Sequence, residues 1–299
     1  MIDLQLQNTL QEALHNQLGN AFGIDRMEIV AGGDINTALR LSGPQGSVFA
    51  KLRPAQDMAM FEAEAEGLRA LSHCDAICVP KVLACTQAGN MASLLLEWLD
   101  IQPIRSESEA CRAGEALAAL HGCKGEHFGW MHDNFIGSTP QCNTESDNWA
   151  QFFVRRRLQP QFALAAQNGF GATFKPYAEA IFEKSPAFFI EYHPTPSLLH
   201  GDLWSGNLGA LPDGTPVLFD PACYYGDRET DVAMSELFGG LPVAFYAAYR
   251  KAQPLSAGHE LRKPLYNLYH ILNHLNLFGR SYLGQAERMA SSLARALKC

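Results

Sequence analysis

Leu198-Leu199-His200-Gly201-Asp202-Leu203-Trp204-Ser205-Gly206-Asn207, followed downstream by Leu218-Phe219-Asp220, is the stretch that decides the fold. In-line transfer of a nucleotide γ-phosphoryl group needs a carboxylate to orient the attacking hydroxyl and accept its proton. It also needs hard oxygen ligands to hold Mg2+ on the phosphates. Asp202 is the candidate for the first role, and Asn207 and Asp220 for the second. Between Asn207 and Asp220 two apolar stretches flank Pro212-Asp213-Gly214, a reverse-turn signal, so a β-hairpin is expected. Centring it on Asp213 sets Asn207 opposite Phe219 and brings Asn207 and Asp220 together at the open end.

The spacing from His200 to Asn207 matches the protein-kinase catalytic loop HRDxxxxN, with Gly201 in place of Arg. Such a site needs a phosphate clamp upstream. Arg26 to Val30 reads as a strand, residues 31–37 as a tight loop containing Gly32, Gly33 and Asn36, and Ala38 to Leu41 as a returning strand. Ser42-Gly43-Pro44-Gln45-Gly46 then turns the chain into Ser47 to Leu52, and pairing across that turn sets Lys51 beside Ala38. Glycines let backbone N–H groups approach phosphate oxygens, and an ammonium adds a point charge. Alone, this loop is weak, since it lacks the full GxGxxG. In the helix expected from Met60 to Ser72, Phe61, Leu68 and Leu71 share one face with Glu64. A carboxylate on an apolar face needs a partner, and Lys51 supplies one. Glu62 and Glu66 fall on other faces and read as solvated.

Lys51, the FEAEAEGLRAL helix, HGDLWSGN, Phe219-Asp220-Pro221-Ala222-Cys223-Tyr224-Tyr225-Gly226-Asp227-Arg228-Glu229 and Asp231 resemble the fructosamine kinase (ketosamine-3-kinase) family. Phe128-Gly129-Trp130, Asn134 to Gln141, Trp149 and LYHILNHLNLFG extend the resemblance over nearly the whole chain. It implies a protein-kinase-like fold similar to aminoglycoside phosphotransferases, with ATP and Mg2+ as cofactors. The implied reaction is phosphorylation of the O3 hydroxyl of a ketosamine, free or on a glycated protein, after which the phosphate leaves and the adduct falls off. Some relatives carry a cysteine directly after the paired glycines, implicated there in redox control. This chain has Asp34.

Net charge is −8 over 299 residues, which opposes non-specific contact with nucleic acid or anionic membrane. Arg155-Arg156-Arg157 is the one basic run, read as a solvated helix face between Asn148 and Ala166, with docking of a glycated protein or an internal ion pair as alternatives. The eight cysteines show no CxxC pair, so reduced thiols are expected, and Cys74 with Cys78 lacks further metal ligands at suitable spacing. No secretory signal or run of eighteen apolar residues is present, which predicts a cytoplasmic protein with no membrane partner. A monomer or weak homo-oligomer is expected. Leu6, Leu10, Leu14 and Leu18 predict an amphipathic helix against the amino lobe.

The fold class expected is α+β. Residues 1–99 form an amino lobe with a small antiparallel sheet, and residues 100–299 a mainly helical carboxy lobe, with ATP between them. The hinge is read at Glu97, Trp98 and Leu99, whose backbone meets the adenine. Only ten residues separate Asp220 from Asp231, too few for a long activation segment, and Pro221 stiffens them. His200 and Asp231 are expected to support the catalytic loop. Trp204, Asp227 and Arg228 are placed at the substrate mouth, with a core role for Trp204 and ion pairs for Asp227, Arg228 and Glu229 as alternatives. A kinase for another small alcohol, such as an aminoglycoside or a choline-like amine, and a non-catalytic scaffold are the competing functions.

Overall fold

Alternating apolar and polar residues on either side of a glycine-bounded turn fold β2 (Thr37–Gly43) against β3 (Gly46–Pro54). In the computed structural model, which describes residues 4–18, 22–30 and 37–297, β3 is the middle strand of a five-stranded antiparallel sheet. Its order is β1-β2-β3-β5-β4, with β1 at Arg26–Ile29, β4 at Val82–Ala88 and β5 at Met91–Glu97. The strand period of two divides β3 between two faces. Val48, Ala50 and Leu52 pack with Leu39, Leu41 and Leu95 beneath α1 (Leu4–Leu18), through Leu6, Leu10 and Leu14. Leu18, expected in the same stripe, is 44% exposed because α1 ends there. Phe49 and Lys51 point the other way, towards α2 (Met58–Leu71). There Phe61, Ala65, Leu68 and Leu71 join Leu94 and Leu96 in the main core.

Beyond β5 the chain is mostly helical. The first helix, α3 (Glu107–Leu120), starts at a capping box in which the Ser106 and Glu109 side chains each bond the other's backbone N–H. Then come α4 (Trp149–Phe152), α5 (Gln159–Ala165), α6 (Gly171–Lys184), α7 (Glu229–Leu237), α8 (Val243–Ala252), α9 (His259–Phe278) and α10 (Leu283–Ala296). Three short antiparallel pairs are set among them: β6 (Asn134–Ile136) with β7 (Thr139–Gln141), β8 (Ser197–Leu199) with β11 (Tyr224–Gly226), and β9 (Leu208–Ala210) with β10 (Pro216–Leu218). One continuous buried cluster runs from the α2 face of the sheet into α3 and α9. No described helix is long and apolar enough to cross a membrane, and the described cysteines are free thiols.

The helix expected from Asn148 begins there, with the Asn148 side chain accepting from Gln151 N–H at 2.9 Å, but widens into a π-helical turn over Phe153–Leu158. Its buried face nevertheless follows helical spacing, through Phe153, Val154, Arg157, Leu158, Gln161 and Phe162. Arg155 stays exposed, whereas Arg157 is fully buried, its guanidinium 4.0 Å from the Tyr224 ring centre and 4.7 Å from that of Phe152. The basic run is therefore not one solvated face, and among the described residues Arg157 has no ion pair.

Candidate active site

The β9–β10 hairpin sets the mouth of the site. Leu208 pairs with Leu218, and Phe219 N–H donates to the Asn207 carbonyl at 3.2 Å, so Asn207 and Asp220 leave the hairpin side by side. The Asn207 amide donates to the Asp202 carbonyl at 2.9 Å and to its carboxylate at 3.3 Å. Asp220 has φ +56°, the only left-handed value among the described non-glycine residues. That conformation costs about 1–2 kcal/mol for an ordinary residue and less for Asp. The chain just beyond Asp220 holds it in place. Ala222 N–H donates to the His200 carbonyl at 2.8 Å, and a Cβ on Gly201 would lie 2.0 Å from the Ala222 carbonyl oxygen. An arginine, usual at this position in protein kinases, has no room at Gly201, because the segment after Asp220 lies on it.

The catalytic loop hangs from Asp231, near the start of α7. Its carboxylate accepts from the backbone N–H of His200 at 2.7 Å and of Gly201 at 2.9 Å, and from His121 Nε2 at 3.2 Å. Burial alone would raise the Asp231 pKa; His121 and the backbone donors hold it below the usual carboxylate range. Tyr249 hydroxyl meets His121 Nδ1 at 2.8 Å, and Arg228 donates to that hydroxyl at 2.8 Å. His200 spends both ring nitrogens on the backbone, accepting from Asp202 N–H at 3.3 Å and donating to the Phe219 carbonyl at 2.9 Å. Burial lowers its pKa, so the ring is neutral with its proton on Nε2. His121 and Tyr249 were not found from sequence, where each reads as an ordinary helix-core position.

Across the cleft, Lys51 pairs with Ala38 on β2 and with Leu94 on β5. Its ammonium reaches Glu64 at 2.7 Å and also contacts the Asp220 carboxylate. Burial would lower the Lys51 pKa, but Asp220 and Glu64 outweigh it and raise it, so the ammonium is charged. The Asp220 side chain is 45% exposed where that of Lys51 is 5%, so the cleft opens on the Asp220 side. Glu66 is not simply solvated: it accepts from Trp130 Nε1 at 2.6 Å and His132 Nδ1 at 3.0 Å, tying α2 to the carboxy lobe. Gly32, Gly33 and Asn36 lie outside the described residues. Val30 N–H donates to the Ala38 carbonyl at 2.9 Å, so the strands flanking that loop converge beside Lys51.

At the hinge, Glu97 closes β5 opposite Val48, and its carboxylate takes the Lys81 N–H at 3.3 Å. Leu99 carbonyl accepts from Ile101 N–H, and Gln102 bridges to Ala210, joining the hinge to the hairpin. The Trp98 ring lies under the Arg40 guanidinium at 4.4 Å and tilts against Phe49 at 6.3 Å. Arg40 and Phe49 escaped the sequence reading, although counting by twos from Ala38 and Lys51 puts both on the cleft face.

Two residues expected at the substrate mouth are committed elsewhere. Asp227 is fully buried and accepts from Tyr192 at 2.9 Å, Tyr266 at 2.5 Å and Glu229 N–H at 3.0 Å. Arg228 donates to Tyr249, to the Gln253 carbonyl at 3.2 Å and to the Pro254 carbonyl at 2.5 Å. Glu229 forms a buried two-pronged pair with Arg262, both contacts at 2.8 Å. The ion-pair alternative holds for Glu229, and hydrogen bonding within the lobe for Asp227 and Arg228. Trp204 is 38% exposed, so it is no core residue; its ring covers Gly206 and meets Phe238 edge-on at 6.2 Å. Asp202 itself is half-buried, and burial, then Asp220 and Asp231, push its pKa up to about 7. A carboxylate so placed suits a general base working near neutrality.

The profile of the family described as Fructosamine kinase matches residues 6–296. The chain belongs to the fructosamine kinase family. A "probable ketoamine kinase" of Synechocystis is 43% identical over 288 residues, 96% of each chain. The chloroplastic protein-ribulosamine 3-kinase of Arabidopsis thaliana is 40% identical over 290 residues, 94% of this chain and 86% of that one. The crystal structure of a candidate fructosamine-3-kinase from Haemophilus somnus has a TM-score of 0.90 at 29% identity, covering 97% of this chain and 99% of that one. An aminoglycoside phosphotransferase, APH(4)-Ia in complex with ADP and hygromycin B, has a TM-score of 0.64 at 15% identity, which shows the shared protein-kinase-like fold alone. The protein is thus an ATP-dependent kinase with an α+β, two-lobe architecture.

Proposed function

We propose that this kinase phosphorylates the O3 hydroxyl of ketosamines, with Asp202 as the group that receives the hydroxyl proton. The supporting observation is that Asp202, Asn207 and Asp220 share one mouth facing the Lys51–Glu64 pair, in a chain of this family. The acceptor O–H gives its proton to the Asp202 carboxylate, the oxygen bonds the γ-phosphorus, and the bond from that phosphorus to ADP breaks. Lys51, fixed by Glu64, neutralises phosphate oxygens. Gly32, Gly33 and Asn36 cradle them, and the backbone from Glu97 to Leu99 receives the adenine.

Asn207 and Asp220 fit a Mg2+ ion. Both offer hard oxygens at one mouth, as suits an ion whose other ligands are phosphates and water. When bound, the cation neutralises charge on the phosphates. Trp204, exposed on the loop beside Asp202, is the face on which the acceptor rests. Phosphorylation at O3 places a leaving group next to the ketone, and loss of the adduct, deglycation, follows.

Coupled ADP release measured over ribulosamines, erythrulosamines, fructosamines and aminoglycosides tests this. Turnover confined to ketosamines is expected; turnover of aminoglycosides with none of any ketosamine overturns it.

A further inference from the structure

Arg157 is the largest side chain with no exposed surface, and no carboxylate pairs with it among the described residues. A buried lone cation is costly, so its contacts should show what it serves. Its NH1 donates to the Cys142 carbonyl at 2.6 Å and the Arg156 carbonyl at 3.1 Å, its NH2 to Asn143 Oδ1 at 2.7 Å, and its Nε has no partner. The guanidinium lies over the Tyr224 ring at 4.0 Å and beside the Phe152 ring at 4.7 Å, two rings that stack on each other at 6.0 Å. Two of these contacts, to Asn143 and to the Tyr224 ring, lead towards one segment. Asn143 donates to Asn134 Oδ1 at 2.8 Å, and Asn134 Nδ2 donates to the Cys223 carbonyl at 2.7 Å. Gln141, held by Tyr269 hydroxyl at 2.6 Å, donates to Asn134 Oδ1 at 2.8 Å and to the Ala222 carbonyl at 3.3 Å. Tyr224 is the next residue along. On its other side this segment is bonded through Ala222 N–H to His200, through Tyr224 on β11 paired with Leu199 on β8, and through the Cys223 thiol to the Gly67 carbonyl at 3.7 Å, and it begins at Asp220 with its left-handed backbone.

We propose that Arg157 is a positioning residue for the phosphoryl-transfer site. Through Asn143 and Asn134, and by stacking on Tyr224, it fixes residues 222–224 so that Asp220 keeps the conformation that presents its carboxylate to the cleft. This rests on the reading of Asp220 as the carboxylate for the nucleotide's cation. The flat guanidinium is needed because it stacks and donates at once; an ammonium does not offer both in one plane.

Calorimetry of ATP binding with and without Mg2+, alongside melting temperature, tests it on two variants. Arg157→Met removes the charge and keeps the length. Asn143→Asp keeps an acceptor for Arg157, and gives it a counter-charge, but sets an oxygen where Asn143 donated to Asn134 and to the His132 carbonyl. Asn134 must then turn its amide and release the Cys223 carbonyl. Both variants should bind MgATP about 10-fold more weakly while Mg2+-free ATP binding stays within about 2-fold, since small misplacements of a positioning group cost this much or more. Asn143→Asp should do so with a melting temperature within about 3 °C of the parent. If Arg157→Met fails to fold, Asn143→Asp decides. MgATP affinity within about 2-fold of the parent in Asn143→Asp overturns the proposal. Asp220→Ala run in parallel separates the two readings: if it too leaves MgATP affinity unchanged, the assignment of Asp220 is at fault, and if it alone loses affinity, only the role of Arg157 is.

Discussion

Asp220 and Asp227 lie seven residues apart in one family-typical segment, and the fold treats them in opposite ways. Asp227 is wholly buried and receives three hydrogen bonds, from two tyrosines and a backbone N–H. The Asp220 side chain is 45% exposed, its one charged partner among the described residues is Lys51, and its backbone sits in a left-handed conformation that favours few residues. A carboxylate whose lone pairs are all taken by its own chain holds structure together. One held in a strained conformation with oxygen to spare is set to receive something from outside. The same division separates Asp231, saturated by His121 and two backbone N–H groups, from Asp202, which among the described residues has only the Asn207 amide.

The strongest way to break this division is Asp202→Asn. The substitution keeps shape and the Asn207 contact, so MgATP binding should persist while turnover falls by roughly 10²- to 10⁴-fold, the contribution of a general base. Turnover within about threefold of the parent sinks the assignment. Asp220→Ala should instead remove the Mg2+-dependent part of ATP affinity, read by calorimetry, because Asn207 alone is a poor substitute for an anionic ligand. Unchanged affinity would put the cation elsewhere.

Trp204→Ala sharpens the comparison on the acceptor side. Stacking, with a cation–π contribution of about 0.5–2 kcal/mol from an amine-bearing acceptor, converts to a rise of about 2- to 30-fold in the ketosamine KM, with the ATP KM unmoved. A fall in melting temperature with both constants unaltered would make the ring structural. Asp227→Asn belongs to the closed side. It replaces one acceptor oxygen with a donor facing groups that themselves donate, so it should cost about 1–3 kcal/mol of stability, read as a lowered melting temperature. The kinetic constants of the surviving enzyme should be unchanged, and a selective rise in the ketosamine KM would restore Asp227 to the substrate mouth.

Local rules carried the open side well. Hairpin centring on Asp213 brought Asn207 to Phe219, strand alternation set Lys51 beside Ala38, and helical period put Glu64 on the lysine's face. Each depends on residues close in sequence. The closed side was harder to read, because its partners come from distant elements. Tyr192 and Tyr266 reach Asp227, His121 reaches Asp231, and Tyr249 reaches Arg228, over separations that no periodicity encodes. Arg157 was misread for a different reason. It was read together with its two arginine neighbours, although Phe153, Val154, Leu158, Gln161 and Phe162 at helical spacing put position 157 on the buried face. Arg40 and Phe49 were legible but passed over, since the same alternation that placed Lys51 places them.

The smallest effect expected is also the one whose sign best separates the two sides. In the nucleotide-free protein the Asp202 carboxyl has its pKa pushed up to about 7 by burial and by the Asp220 and Asp231 charges, against about 3.9 in an unfolded chain. A folded-state value above the unfolded one means that the folded protein binds the proton more tightly. Its contribution to stability is complete below about pH 4 and is lost as pH rises through 7. Asn at this position cannot ionise, so Asp202→Asn should gain stability over the parent between pH 5 and pH 8. Three units would correspond to about 4 kcal/mol, but Asp202 is half-buried and solvent screening reduces this to about 1–2 kcal/mol, or about 2–6 °C in melting temperature. Asp227, pushed up to about 6 by burial and Glu229, titrates in a similar range, yet its Asn variant should lose stability at both pH values because three donors depend on its oxygens. Melting curves of the parent and both variants at pH 5 and pH 8 decide it: a difference for Asp202→Asn that does not grow with pH would mean that Asp202 is ionised well below neutrality and is not held back as a base.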